Sequence, residues 1–331
     1  MTSRPLGDSG IEASAVAFGT WALGGWLWGG TERNEATKSI HAAIDVGMNF
    51  IDTAPVYGFG RSEELVGEAI QGRRDKVVLA TKAGLVWHTD GVHFFDSTDP
   101  ISGTSYKIYR NLRPETIRYE IEQSLKRLRT DYIDLYLTHW QDKTTPIRDT
   151  MGELMKLKAE GRIRAIGVSN ATAEQLDAYR AVGPVDADQE HYSMLKPKNE
   201  KELLPYCADN GVAFLAYSPL GQGLLTGKIG PDTTFASSDQ RSSSSTFSPE
   251  NRRKVAAMLE KFQPIAEAHS STLAQLVIAW TIHQRGCSHA LVGARTVAQV
   301  QENATGGSID LSESDLSTMN AAIRDYRSEQ G

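Results

Sequence analysis

Alternation is the feature that most narrows what this chain can fold into. Eight short β-rich runs, at 15–21, 49–54, 76–84, 132–140, 163–170, 187–192, 212–220 and 289–294, are each followed by a stretch with helical patterning. Most are near-continuous apolar segments such as "KVVLATKAG" and "YIDLYLTHW", as strands covered on both faces require. Between them apolar residues recur every three or four positions, as in "PETIRYEIEQSLKRL" (114–128) and "PIRDTMGELMKLKAEG" (146–161), the latter stopping on Gly161. Eight such βα units predict one domain over 1–331, an α/β chain folded as a (β/α)8 TIM barrel. A doubly wound sheet would carry G-x-G-x-x-G after its first strand, but Gly19 is followed by Thr20 and Trp21. The segment "LSESDLSTMNAAIRDYRSEQ", with its serine N-cap, reads as a ninth, closing helix.

Two connections are unusually long: 85–112 after the third strand and 221–248 after the seventh. Long βα loops in a barrel fall at the catalytic face. The serine run at 242–245 is low-complexity and reads equally well as a mobile linker.

Composition removes several classes. A net charge of -6 with Lys and Arg scattered along the chain gives no footprint for nucleic acid or an anionic membrane. No run approaches the roughly 20 apolar residues that span a bilayer, and "MTSRPLGDSG" has no apolar signal core. Cys207 and Cys287 lie far apart without metal spacing. A soluble protein of the reducing cytoplasm, acting on a small molecule, is expected.

Chemistry collects at the strand ends. Asp52, Lys82 and His139 end the second, third and fourth strands, and Tyr57 sits just past Asp52. Singly, each has a structural explanation, such as an Asp capping a turn or a satisfied strand-end His. Together they would project into one mouth, where burying charge costs several kcal/mol unless the groups pair or work. A phenol is a poor acid at neutral pH, but a lysine ammonium within about 4–6 Å would stabilise its phenolate. Asp52 would aim that lysine, and His139 would hydrogen-bond a carbonyl oxygen. The set describes proton delivery to a carbonyl that is taking up hydride.

The motifs "GTWALGG", "IDTAPVYGFGRSEELVG", "LATKAG", "LKRLRTDYIDLYLTHW", "GRIRAIGVSN", "YSPLGQGLLTGK" and "VGARTVAQVQEN" resemble the aldo-keto reductase superfamily along nearly the whole chain. Their detail is most similar to the bacterial general aldehyde reductases and inositol-operon relatives. The resemblance implies Asp52, Tyr57, Lys82 and His139 as the catalytic set, with the tyrosine as general acid and base. It also implies that Ser169, Asn170 and Gln189 hold the nicotinamide carboxamide and that Tyr217 stacks on the nicotinamide ring. At the strand ends, Gly19, Thr20, Trp21, Asp52 and Gly293 would adjoin the cofactor. Ser218, Pro219, Leu220, Gln222, Gly223, Leu225 and Lys228 would form the loop around its pyrophosphate. "GQGLLTGKI" superficially resembles a nucleotide-triphosphate loop, but its spacing fails and Ile229 stands where Ser or Thr would hold magnesium.

Arg295 is placed where a guanidinium would hold a 2′-phosphate, with Thr296 adding a hydroxyl and Gln299, Glu302 and Asn303 around the adenosine. NADPH is therefore the expected cofactor. Gln299 stands where many relatives carry arginine, so NADH is the second candidate. Substrate contacts are assigned to Trp21, Trp28, Tyr57, His139, Trp140 and Arg110. The mixture of His88, His93, Tyr106, Lys107, Tyr109, Arg110 and Asn111 with aromatics in the first long loop suggests a sugar-derived or polyhydroxylated aldehyde; a solvated flap is the alternative. A cofactor-binding sensor or auxiliary subunit is the rival function. A metal-dependent hydrolase is disfavoured, because His139 has no partner at metal spacing.

Overall fold

The computed structural model describes residues 1–25, 31–99, 101–236 and 239–329. A strand falls on every predicted run, the last one starting ahead of it: β1 (Val16–Gly19), β2 (Phe50–Asp52), β3 (Val78–Ala83), β4 (Ile133–Thr138), β5 (Ile163–Ser169), β6 (Ala187–His191), β7 (Ala213–Tyr217) and β8 (Cys287–Gly293). They pair in parallel and close into a barrel, with β8 hydrogen-bonded to β1. Each strand ends before its predicted run does. β4 stops at Thr138 and β7 at Tyr217, where Ser218 takes a left-handed φ of 57°, so the remaining residues leave the ladder at the mouth.

The covering helices are α1 (Arg33–Asp45), α2 (Arg61–Ala69), α3 (Pro114–Leu128), α4 (Ile147–Ala159), α5 (Ala173–Arg180), α6 (Leu203–Asn210), α7 (Leu273–His283) and α8 (Val297–Gly306). Helices Pro249–Glu260 and Gln263–Ala268 precede α7, and the expected closing helix is α9 (Glu313–Ser328), capped by Ser312.

The barrel interior is small and apolar, with Ala17, Ala80, Ala165, Ala187 and Ala213 beside Phe50, Leu135, Leu137 and Leu215. An N-terminal hairpin, Ser3–Pro5 paired with Glu12–Ser14, sends Leu6 and Ile11 into this cluster and plugs the end opposite the mouth. Burial of apolar surface on this scale drives closure at about 25 cal/mol per Å².

Both long connections are organised. The first builds an antiparallel sheet from Leu85–Val86, Val92–Thr98 and Ser105–Arg110. The second, which includes the serine run, winds through short 3-10 turns at Gln240–Ser243 and Ser245–Phe247 and buries Phe247.

Candidate active site

Parallel pairing brings Asp52, the last residue of β2, level with Gly19 of β1 and Ala80 of β3. Lys82 lies level with Leu137 of β4 and is fully buried. Its Nζ donates to Asp52 Oδ1 at 2.8 Å, Asp52 Oδ2 at 2.9 Å and the Thr53 carbonyl at 2.9 Å, and stands 3.3 Å from the Tyr57 hydroxyl. Gln189 on β6 donates its amide to Asp52 Oδ1 at 2.8 Å, so the carboxylate is fixed from two sides. The backbone N–H of His139 donates to the Ala83 carbonyl at 2.7 Å, and its ring meets the Tyr57 ring edge-on at 5.8 Å.

Tight turns carry Tyr57. Gly58, at φ 68°, packs so closely on the 3-10 turn Trp21–Gly24 that an added Cβ would lie 2.1 Å from the Gly24 carbonyl oxygen. Only glycine fits there, and it locks the phenol's loop against the first connection.

Electrostatics sharpen the roles. Burial, then the Lys82 ammonium, hold His139 well below the usual histidine range, so its imidazole is neutral. Burial lowers Lys82, while Asp52 opposes that shift. Burial, then the Asp52 charge, push the Tyr57 phenol well above its ordinary value. The expected lysine is in place, but the net direction on the phenol is upward. The resting tyrosine is a protonated acid.

A cleft of about 700 Å³ runs from Trp21, Tyr57 and His139 past Asn170 and Tyr217 to Arg295, Gln299 and Asn303. Asp52, Gly19, Ser169, Gln189, Ser218, Pro219, Leu220, Gln222, Gly223, Lys228, Gly293, Glu302 and Trp140 also line it. The donor set suits a dinucleotide: amides at the inner end, glycine-permitted backbone along the loop, and a cation at the outer end. Gln222 and Gly223 both take left-handed conformations, and an added Cβ on Gly223 would meet only side chains.

Several expected contacts lie elsewhere. Thr20 is fully buried, and its hydroxyl donates to the Asp52 carbonyl at 2.8 Å; Leu225 is core. Thr296 instead caps α8, accepting from the Gln299 N–H at 3.3 Å. Arg110 does not line the cleft, because its guanidinium packs over the Phe94 ring at 5.1 Å from the centroid. Trp28 lies outside the described residues. None of His88, His93, Tyr106, Lys107, Tyr109 or Asn111 faces the cleft either; the first long connection contributes Leu85, Phe94 and Phe95. Tyr217 already stacks on His191, centroids 5.1 Å apart, and donates its hydroxyl to Asn170 Oδ1 at 3.0 Å.

Phe94 and Phe95 line the cleft without having been among the expected site residues. "VHFFDST" and "SYKIYR" flank a turn that includes Gly103, which is a hairpin signal. Both rings reach the cleft because the register slips between His93 and Phe95, and such a bulge re-aims the extra residue.

A parallel barrel with a buried acid–lysine pair, a neutral histidine and a protonated phenol, beside a cleft shaped for a dinucleotide, defines a nicotinamide-dependent carbonyl oxidoreductase. The family model of the aldo/keto reductase family matches residues 15–324, and the chain belongs to that family. It is 42% identical over 325 residues to the NADH-specific methylglyoxal reductase of Escherichia coli, covering 96% of this chain and 97% of that one. It is 40% identical over 304 residues to the aldo-keto reductase YhdN of Bacillus subtilis, covering 91% and 87% respectively. Among solved structures, the glycerol dehydrogenase AKR11B4 from Gluconobacter oxydans is similar with a TM-score of 0.88 and 39% identity, covering 98% of this chain and 95% of that one. An aldo/keto reductase from Klebsiella pneumoniae in complex with NADP and acetate is similar with a TM-score of 0.72 and 27% identity, covering 98% and 96%.

Among the described residues, no helix is long and apolar enough to cross a membrane and no group of three or more His, Cys, Asp or Glu side chains is placed to hold a metal ion.

Proposed function

We propose that this chain reduces the carbonyl of a small aldehyde or ketone to an alcohol using NADPH, with Tyr57 as the proton donor. The observation that carries the reading is the Lys82 ammonium held between Asp52 and the Tyr57 hydroxyl, 3.3 Å from the latter. A bound reduced nicotinamide supplies hydride. Neutral His139 donates a hydrogen bond that orients the carbonyl oxygen, Tyr57 passes its proton to that oxygen as negative charge develops, and Lys82 stabilises the phenolate left behind.

Arg295, at the N-terminus of α8, supports NADPH, since guanidinium and helix terminus both favour a 2′-phosphate. The substrate class proposed is a short, oxygen-rich aldehyde of the sugar-derived or polyhydroxylated kind, within the general aldehyde reductase branch. Its support is the similarity to a methylglyoxal reductase and to a glycerol dehydrogenase. The buried free thiols of Cys207 and Cys287 suit a cytoplasmic setting.

Oxidation of NADPH and NADH, followed with a panel of aldehydes that includes sugar aldehydes, tests the proposal. Turnover that Tyr57→Phe lowers about 10²-fold or more is expected. Tight NADPH binding without turnover on any aldehyde would favour a sensor or auxiliary subunit instead.

A further inference from the structure

Successive side chains of a strand point to opposite faces. Gln189 of β6 therefore enters the mouth while Asp188 and Glu190 share the outer face. Asp188 is fully buried, neither of its carboxyl oxygens has a well-formed hydrogen bond, and the group that bears on it is Glu190. Glu190 is itself buried, and its Oε1 accepts the backbone N–H of Ala171 at 2.8 Å.

Ala171 follows Asn170, a non-glycine residue held at φ 55°. Such a conformation costs of order 1–3 kcal/mol and persists only where the surroundings impose it. The surroundings here are specific. Asn170 Nδ2 donates to the His139 carbonyl at 2.9 Å and to Ser169 Oγ at 3.0 Å, its Oδ1 accepts from Tyr217, and Glu190 grips the next N–H from behind the sheet. The charged and titratable groups around the pair are Lys198 of the turn after β6, Cys207 on α6 and Tyr217 on β7, with Arg180 of α5 acting on Cys207.

We propose that Glu190 is a positioning residue: it clamps Ala171 and so fixes the Asn170 turn that presents its amide to the nicotinamide carboxamide. Burial, then the Glu190 charge, raise Asp188 well above the usual carboxylate range, so Asp188 stays protonated and the charge is left to Glu190, whose carboxyl grips the Ala171 N–H. The inference rests on the cofactor reading above.

Fluorescence titration of the purified protein with NADPH and with 2′-phospho-ADP-ribose, which lacks the nicotinamide, tests it. Glu190→Ala, and Glu190→Asp, which withdraws the carboxyl while keeping the acid pair, are expected to weaken NADPH binding about tenfold and leave the fragment unchanged. Glu190→Gln and Asp188→Asn, which keep an acceptor and a donor, should bind both like wild type. The proposal is overturned if Glu190→Asp, shown to be folded by its melting curve, binds NADPH normally or loses both ligands equally. A wild-type protein that binds neither ligand would instead remove the cofactor reading itself.

Discussion

Lys82 Nζ lies 2.8 Å from Asp52 Oδ1, with both side chains withdrawn from solvent. Removing one member of a buried pair leaves an uncompensated charge and costs about 3–5 kcal/mol. Lys82→Met should therefore lose stability of that size in urea denaturation, together with most of its turnover. Asp52→Asn combined with Lys82→Met should recover part of the stability and none of the turnover. Strictly additive losses in stability would show that the two groups do not depend on each other.

Among the described residues, Arg295 lines the adenosine end of the cleft without a salt bridge, whereas Lys228 is paired with Glu302 at 2.9 Å. The Gln299 side-chain oxygen accepts the Arg295 backbone N–H at 2.8 Å, which commits that amide to the turn. Arg295→Ala should raise KM for NADPH at least tenfold and leave KM for NADH within about twofold, the size expected for one charge-assisted contact. Equal effects on both cofactors would place the 2′-phosphate elsewhere.

The meeting of Asp52, Tyr57, Lys82 and His139 was legible in the sequence because a parallel barrel converts position at a strand end into position at one mouth. Asp52, Lys82 and His139 needed only the correct strand assignments, and the apolar runs supplied those. The N-terminal hairpin was not legible, because its strands are three residues each and carry no period. Nor was the direction of the polar residues between 85 and 112. A one-residue change of register sends side chains to the opposite face, and the irregularity between His93 and Phe95 is such a change. The carboxyl pair on β6 was hidden for a related reason: Asp188 and Glu190 flank Gln189 in the strand, and alternation puts them behind the sheet, away from the mouth.

Two buried titratable groups give the fold opposing pH dependences. Glu120 accepts the Gly84 N–H at 2.7 Å, and burial raises its pKa from 4.5 to about 8. The unfolded chain ionises this carboxyl first, so stability falls as pH rises from 4.5 to about 8. Glu120→Gln keeps an acceptor and should flatten that alkaline side, gaining a few kcal/mol near pH 8. Denaturant midpoints of the two proteins at intervals across this range provide the check.

His289 acts on the acid side. It is fully buried, its Nδ1 lies 3.0 Å from the Ser14 carbonyl, and burial lowers its pKa from 6.5 to about 4. The unfolded chain takes up the proton first, so the contribution is complete above 6.5 and is lost as pH falls toward 4. His289→Gln should lower stability at pH 8 through lost packing but show a shallower loss on acidification. A parallel acid limb in the variant would assign the dependence to other groups.

The substrate end of the cleft tests how the hairpin works. Phe94 lines the cleft and packs against Trp140 with centroids 5.0 Å apart, while the Arg110 guanidinium lies over the ring at 5.1 Å. Arg110 therefore reaches substrate only through Phe94, and an anionic group on the substrate would not meet it. Phe94→Ala should raise KM for every aldehyde tested, because it removes a wall of the site. Arg110→Ala should raise KM by a smaller factor and by the same factor for neutral and anionic aldehydes, since its loss only loosens the ring. In the double variant the effect of Arg110→Ala should vanish. KM values for matched neutral and carboxylated aldehydes in the three variants decide the matter, and a selective loss of the carboxylated substrate in Arg110→Ala would restore the arginine as a direct contact.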